Sequence, residues 1–171
     1  ISELFSHNIN LKLDFLGLTS KTNLYYGENE LTNENILARN YFIKKRELNC
    51  GVSGDYKNLK PNIFISFFKK ENTFSIEKVD GVKLSAGFKI NNKKNLSMNS
   101  DIMFYNMKYV GDVNTPISHE MLDGLTPGLG VQWKANVKKS IKKMVFSLQY
   151  SGRFSENQNV HNAQIEFKKY F

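Results

Sequence analysis

Apolar side chains recur at every second position along much of this chain. That periodicity constrains the fold more than any other feature: a helix returns to one face every three to four residues, whereas successive strand residues point to opposite faces. From Gly81 to Asn91, Val82, Leu84, Ala86, Phe88 and Ile90 alternate with Lys83, Ser85, Gly87 and Lys89. From Leu129 to Lys138, Leu129, Val131, Trp133, Ala135 and Val137 alternate with Gly130, Gln132, Lys134, Asn136 and Lys138. Met144, Phe146, Leu148 and Tyr150 alternate with Val145, Ser147, Gln149, Ser151 and Arg153, and Ala163, Ile165, Phe167 and Phe171 stand against Gln164, Glu166 and Lys168. Weaker runs are Ile9, Leu11, Leu13, Phe15; Leu48, Cys50, Val52, Tyr56; and Leu96, Met98, Ile102, Phe104; Asn62 to Lys69 is apolar on both faces. These segments predict at least eight strands, and a turn between Gly17 and Lys21 would set Thr22 to Tyr26 apart as another.

The connections fall into two classes. Short ones are expected at Lys57-Asn58-Leu59-Lys60-Pro61, at Asn91-Asn92-Lys93-Lys94-Asn95 and from Lys138 to Lys143; long ones from Glu28 to Asn40, Asn72 to Asp80 and Val110 to Pro127. Tight turns at one end and loops at the other mark an antiparallel up-and-down meander whose ends face different surroundings. A long meander leaves two exposed edges unless it closes on itself. The expected fold is all-β, a closed antiparallel barrel of about 8–10 strands. With 171 residues, the chain has the scale of a single domain. Because it begins at Ile1, it reads either as a processed product or as the C-terminal part of a longer protein.

Composition removes several classes. An apolar share of 40%, with 13 Phe and 8 Tyr, is too high for a disordered tail. No stretch approaches the ~18 consecutive apolar residues of a membrane-spanning helix, a test that barrel strands escape because their two faces average out. The net charge of +8 raises nucleic acid as a partner. The aromatics, however, lie on the face opposite the lysines instead of interleaving with them, so nucleic acid is not expected. The single cysteine, Cys50, has no internal disulfide partner and shares the face of Leu48 and Val52, where it acts as a small apolar side chain. His7, His119 and His161 are too scattered for a metal box, and neither a metal nor another cofactor is expected.

Alternation alone leaves open whether the apolar set points into a core or out into lipid. Three features favour outward. The apolar runs match the roughly nine to eleven residues of a tilted strand crossing a bilayer. The opposite set is rich in small or neutral residues such as Gly51, Ser53, Ser85, Gly87, Gly130, Ser147 and Ser151, which suit a crowded lumen. Aromatics collect near strand ends, among them Tyr25, Tyr26, Tyr56, Tyr105, Tyr109 and Phe154, as an interfacial girdle requires. The chain is therefore read as a transmembrane barrel.

The terminal segment Ala163-Gln164-Ile165-Glu166-Phe167-Lys168-Lys169-Tyr170-Phe171 resembles the closing strand of bacterial outer-membrane β-barrel proteins, which ends in an aromatic residue preceded by alternating apolar ones. Ile165, Phe167 and Phe171 match that assembly signal, while Lys169 stands where the pattern usually has an apolar residue. Met121-Leu122-Asp123-Gly124-Leu125-Thr126-Pro127-Gly128, with the Trp133 strand and Gln149-Tyr150-Ser151-Gly152-Arg153, is similar to the C-terminal barrel ends of large Gram-negative outer-membrane proteins. The resemblance covers about the last fifty residues. It implies an outer-membrane location, recognition by the barrel-assembly machinery, short turns on the periplasmic side and Phe171 at the periplasmic rim.

Charged residues on the polar face, namely Glu47, Asp55, Lys83, Lys89, Asp101, Lys134, Arg153 and Glu166, are expected to pair as a lumen network, because an unpaired charge in a narrow barrel costs several kcal/mol. The pairs Lys93-Lys94, Lys138-Lys139 and Lys142-Lys143 are expected in the short turns. In the longest loop, Pro116, His119, Gly124 and Pro127 restrict the backbone more than a mobile loop needs, which suggests a fold-back or a surface for a partner. A small barrel filled by its own side chains is not a diffusion pore. The leading expectation is a non-enzymatic outer-membrane anchor or scaffold, or a component of an outer-membrane complex, with membrane lipid and other outer-membrane proteins as partners. The rivals are a soluble lipocalin-like carrier of an apolar ligand, a lipid-modifying barrel enzyme using His119, and a piece of a larger channel or transporter barrel.

Overall fold

The computed structural model describes residues 2–15, 18–31, 40–92, 95–156 and 158–170. Nine strands and one short helix follow in order: β1 (Ser2–Phe15), β2 (Leu18–Leu31), β3 (Tyr41–Gly54), β4 (Leu59–Asn72), β5 (Lys78–Asn92), β6 (Leu96–Val110), α1 (Pro116–Met121), β7 (Gly128–Ile141), β8 (Met144–Ser155) and β9 (Gln158–Lys169). Each strand pairs antiparallel with its neighbour in sequence, so the sheet is an up-and-down meander in the order β1 to β9. β1 and β9 are its two edges and do not pair with each other. Because nine is odd and every pairing is antiparallel, β1 and β9 run in the same direction.

The strands are longer than the apolar alternation suggested, because backbone ladder bonds continue where side chains turn polar. Lys138 and Lys139 consequently lie on β7, opposite Ser147 and Phe146, and the turn after them is confined to Lys142 and Lys143. β5 begins at Lys78, which shortens the expected Asn72 to Asp80 loop to residues 73–77. β2 continues to Leu31, well into the expected Glu28 to Asn40 loop; it is the additional strand expected at Thr22 to Tyr26, and it begins at Leu18, inside the expected Gly17 to Lys21 turn. β8 and β9 are joined across 156–157, at the end where the other connections are longer. Lys57, Asn95 and Lys142, one in each of three short connections, adopt positive φ of 53°, 57° and 50°. Lys93 and Lys94 fall outside the described residues.

Register separates the two faces. On one, the row Leu11, Thr22, Cys50, Ile65, Leu84, Phe104, Val131, Phe154 crosses the sheet, followed by Leu13, Ser20, Val52, Ile63, Ala86, Ile102, Trp133, and then Leu59, Ile90, Met98, Val137, Leu148, Ile165. Large apolar side chains of this face stand open, with Leu13 73% and Ile165 68% exposed. The other face carries Asn49, Gly51, Ser53, Ser66, Ser85, Gln132, Ser151 and most of the inward charges. β4 was apolar on both faces for a local reason: its inward Phe64 lies over Gly51, and its inward Phe68 is buried.

The hydrophobic core is not central. It sits at one end of the inner face, where Ile43, Phe68, Val79, Tyr105 and Met107 from the strands meet Ile117, Met121, Leu122 and Leu125 from the β6–β7 connection. Tyr105 is 2% exposed, and Tyr41, Met103 and Tyr109 pack around this cluster. Tyr105 and Tyr109 therefore belong to the inner core and not to an outer girdle. Tyr25 is also inward, opposite Glu47 and beneath Lys45, whose Nζ lies 5.3 Å from its ring centroid. Tyr26, Tyr56 and Phe154 remain outside it.

Candidate functional site

The β6–β7 connection folds back across the inner face as a plug, and its sequence explains how. Thr115 caps α1, its Oγ1 accepting from Ser118 N at 3.0 Å, and Pro116 occupies the first turn, where its fixed φ fits and no amide proton is needed. The helix ends as Asp123 and Gly124 enter the left-handed region at φ 55° and 70°, with Gly124 N donating to His119 O at 2.9 Å. This Asp-Gly turn throws the Asp123 side chain toward the inner face of the sheet.

There Asp123 meets two lysines. Lys70 Nζ donates to Oδ1 at 2.5 Å and Lys83 Nζ to Oδ2 at 3.0 Å. Lys70 also reaches Glu120 O at 3.4 Å and is almost wholly buried, its side chain 6% exposed. Burial pushes the Asp123 carboxyl up, yet the hydrogen bonds and charges of Lys70 and Lys83 outweigh it and hold the group below its ordinary value. Arg153 Nη1 donates to Gly124 O at 2.5 Å, Asn29 Nδ2 to Glu120 Oε1 at 3.4 Å, and Tyr105 Oη lies 3.4 Å from Thr126 Oγ1. Strands β2, β4, β5, β6 and β8 thus all hold the plug. Beside it, Glu47 pairs with Lys45 and accepts from Ser66 Oγ at 2.6 Å.

Of the expected lumen residues, Glu47, Lys83 and Arg153 come together around the plug. Asp55 lies just beyond β3, exposed and paired with Lys60 at 2.5 Å. Glu166 pairs with Lys168 at 2.8 Å near the far end of edge strand β9. Asp101 lies over Gly87 opposite Lys134 in register; these two and Lys89 are exposed and do not reach the plug. In the plug, Pro116 and His119 are exposed, Gly124 is clamped by Arg153, and Pro127 is half-buried at the entry to β7. Ile165 and Phe167 stand on the outer face of β9 opposite Leu148 and Phe146; Phe171 lies outside the described residues.

Lys70 and Asp123, the centre of the arrangement, were missing from the sequence-derived set. Two signals pointed to them: the Asp-Gly dipeptide is a turn signature, and Lys70 continues the inward parity of Ser66 and Phe68. The arrangement positions charges and hydrogen bonds that hold the connection against one end of the inner face; among the described residues of this cluster, no nucleophile is hydrogen-bonded to a base. Ser118 Oγ lies 2.6 Å from Val113 O and 2.7 Å from Thr115 O, and its single proton is shared between these carbonyls. His161 instead sits on the outer face, with Nδ1 2.8 Å from Tyr150 Oη and its ring beside Trp133. His7 is on β1, against Phe5.

No family model and no curated protein matches the chain. Among solved structures, the chain is similar to the Yersinia pestis outer membrane protein Ail in a phospholipid bilayer nanodisc. Identity is 12%, the match covers 88% of this chain and 96% of that one, and the TM-score is 0.32.

Proposed function

We propose that this chain forms a closed β-barrel in the outer membrane of a Gram-negative bacterium, serving as a plugged, non-enzymatic anchor or scaffold. The observation that carries the reading is the direction of the two faces: the apolar rows point outward and stand open across the sheet, while the inward side is polar and its mouth is filled by the chain's own plug. An apolar surface that wide is unstable in water and suited to hydrocarbon. A soluble carrier would need the opposite arrangement, with the greasy set lining the interior.

Closure follows from the solvent. In hydrocarbon every backbone amide and carbonyl must be hydrogen-bonded, so the free edges of β1 and β9 require a partner. As these edges run in the same direction, they would close on each other as one parallel pair, the arrangement that an odd strand number imposes. The plug, tied to five strands, covers one end of the inner face, which supports an anchor over a pore.

The test is extraction into detergent or lipid followed by gel migration with and without boiling. The folded barrel should migrate differently before boiling and shift to its unfolded position afterwards. Identical migration, or a monodisperse protein in detergent-free buffer, would remove this reading in favour of a soluble carrier.

A further inference from the structure

The outer face changes character within one step of the pleat. The apolar row Ile9, Leu24, Leu48, Phe67, Val82 is followed, toward the plugged end, by His7, Tyr26, Arg46, Lys69, Asp80, Lys108. A groove of about 520 Å3 spans this boundary, with Leu24, Leu48, Phe67 and Val82 on its apolar side and Arg46, Lys69 and Lys108 on its basic side. Asp80, which stands between Lys69 and Lys108 in register, and Glu47, which is paired with Lys45, also line it, so three cations face two carboxylates of which one is already engaged. Lys69 is already tied to Glu71 at 2.8 Å, whereas Arg46 and Lys108 make no ion pair among the described residues.

We propose that this groove seats one anionic, phosphate-bearing lipid, a reading that rests on the membrane assignment above. The phosphate lies between Arg46 and Lys108, and an acyl chain runs along Leu24, Leu48, Phe67 and Val82. The two rows are about 7 Å apart along a strand, so charge and hydrocarbon sit at the separation a headgroup imposes. A guanidinium binds phosphate oxygens in pairs, and an ammonium adds a point charge. A zwitterionic lipid would leave the excess cations uncompensated, and free phosphate would gain nothing from the apolar wall.

The full chain, folded into nanodiscs of equal phosphatidylcholine and phosphatidylglycerol, tests this by native mass spectrometry of retained lipid. Wild type should retain phosphatidylglycerol about tenfold over phosphatidylcholine. Arg46→Gln/Lys108→Gln, which leaves the Lys69–Glu71 pair intact, should lose the preference, while Arg46→Lys/Lys108→Arg should keep it. Lys142→Gln/Lys143→Gln removes the same charge at the opposite end and should also keep it. Equal retention of both lipids by wild type, an equal loss in the turn variant, or displacement of the lipid by millimolar inorganic phosphate overturns the proposal. Heat-dependent migration is followed in parallel: a folded wild type without preference sinks the lipid site alone, whereas a wild type that never folds in lipid sinks the membrane reading and the site with it.

Discussion

Asp123 bridges Lys70 and Lys83, one carboxylate oxygen 2.5 Å from the first ammonium and the other 3.0 Å from the second. A residue from the plug thereby pairs with two cations from adjacent strands, β4 and β5, and offsets one of their two charges. The plug is held by charge at one point and by the Met121, Leu122 and Leu125 contacts around it.

Removing Asp123 should release the plug. Asp123→Ala leaves Lys70 buried without its counter-charge, a loss of about 2 kcal/mol, below the ~3–5 kcal/mol of a fully buried pair because the Asp123 carboxylate keeps contact with water. Chymotrypsin should then cut near Leu122 and Leu125 at neutral pH faster than in wild type, and adding Lys70→Met should restore protection. Unchanged cleavage in the single variant would show that the apolar contacts alone hold the plug.

Acid should act in the same way. The Asp123 carboxyl titrates below its ordinary value of 3.8, so its stabilising contribution is complete above that value and is lost as pH falls through the depressed one. Pepsin cleavage of the 111–127 segment should rise as pH falls below 3.8 by more than the enzyme's own pH profile explains. In Asp123→Asn that excess should be absent.

Gly130 is a packing requirement. A Cβ built there meets the Tyr105 ring at 2.2 Å, and Tyr105 is buried in the plug core. Gly130→Val should displace the ring and cost about 1–3 kcal/mol, read as a lower temperature for the shift to the unfolded gel position. A companion change, Tyr105→Ala, should recover part of the loss.

Cys50 reports the direction of the faces. It lies on the outer face between Thr22 and Ile65. In lipid it should react slowly with a charged maleimide and readily with an apolar one, and the difference should vanish in denaturant. Fast reaction with the charged reagent in lipid would place this face in water.

The seam offers an independent check. In denaturant the outward edge amides of β1 and β9 should exchange hydrogen fast, and in lipid they should slow to the rate of β5. Continued fast exchange in folded, lipid-embedded protein would count against closure.

Much of this was legible from residue order. The clean alternation in Val82 to Ile90 and in Leu129 to Val137 marked β5 and β7 and the side each residue faces, because strand parity depends on the backbone alone. Strand ends were harder: Lys138, Lys139 and Lys78 read as turn residues, yet they continue ladders whose bonds ignore side-chain polarity. The tyrosines misled for a related reason. Tyr105 and Tyr109 sit near a strand end like girdle residues, and only the arrival of the plug beside them turns that position into a core.

Period-two patterning by itself therefore determined an antiparallel meander, the identity of its two faces and the position of its longest connection, since all three follow from local geometry and chain continuity. Tertiary structure alone decided that this connection folds onto the inner face of the sheet, that Asp123 finds Lys70 and Lys83, and that Arg46 and Lys108 border one groove. Those contacts join residues brought together by the curvature and register of the sheet, and no window along the chain contains both partners.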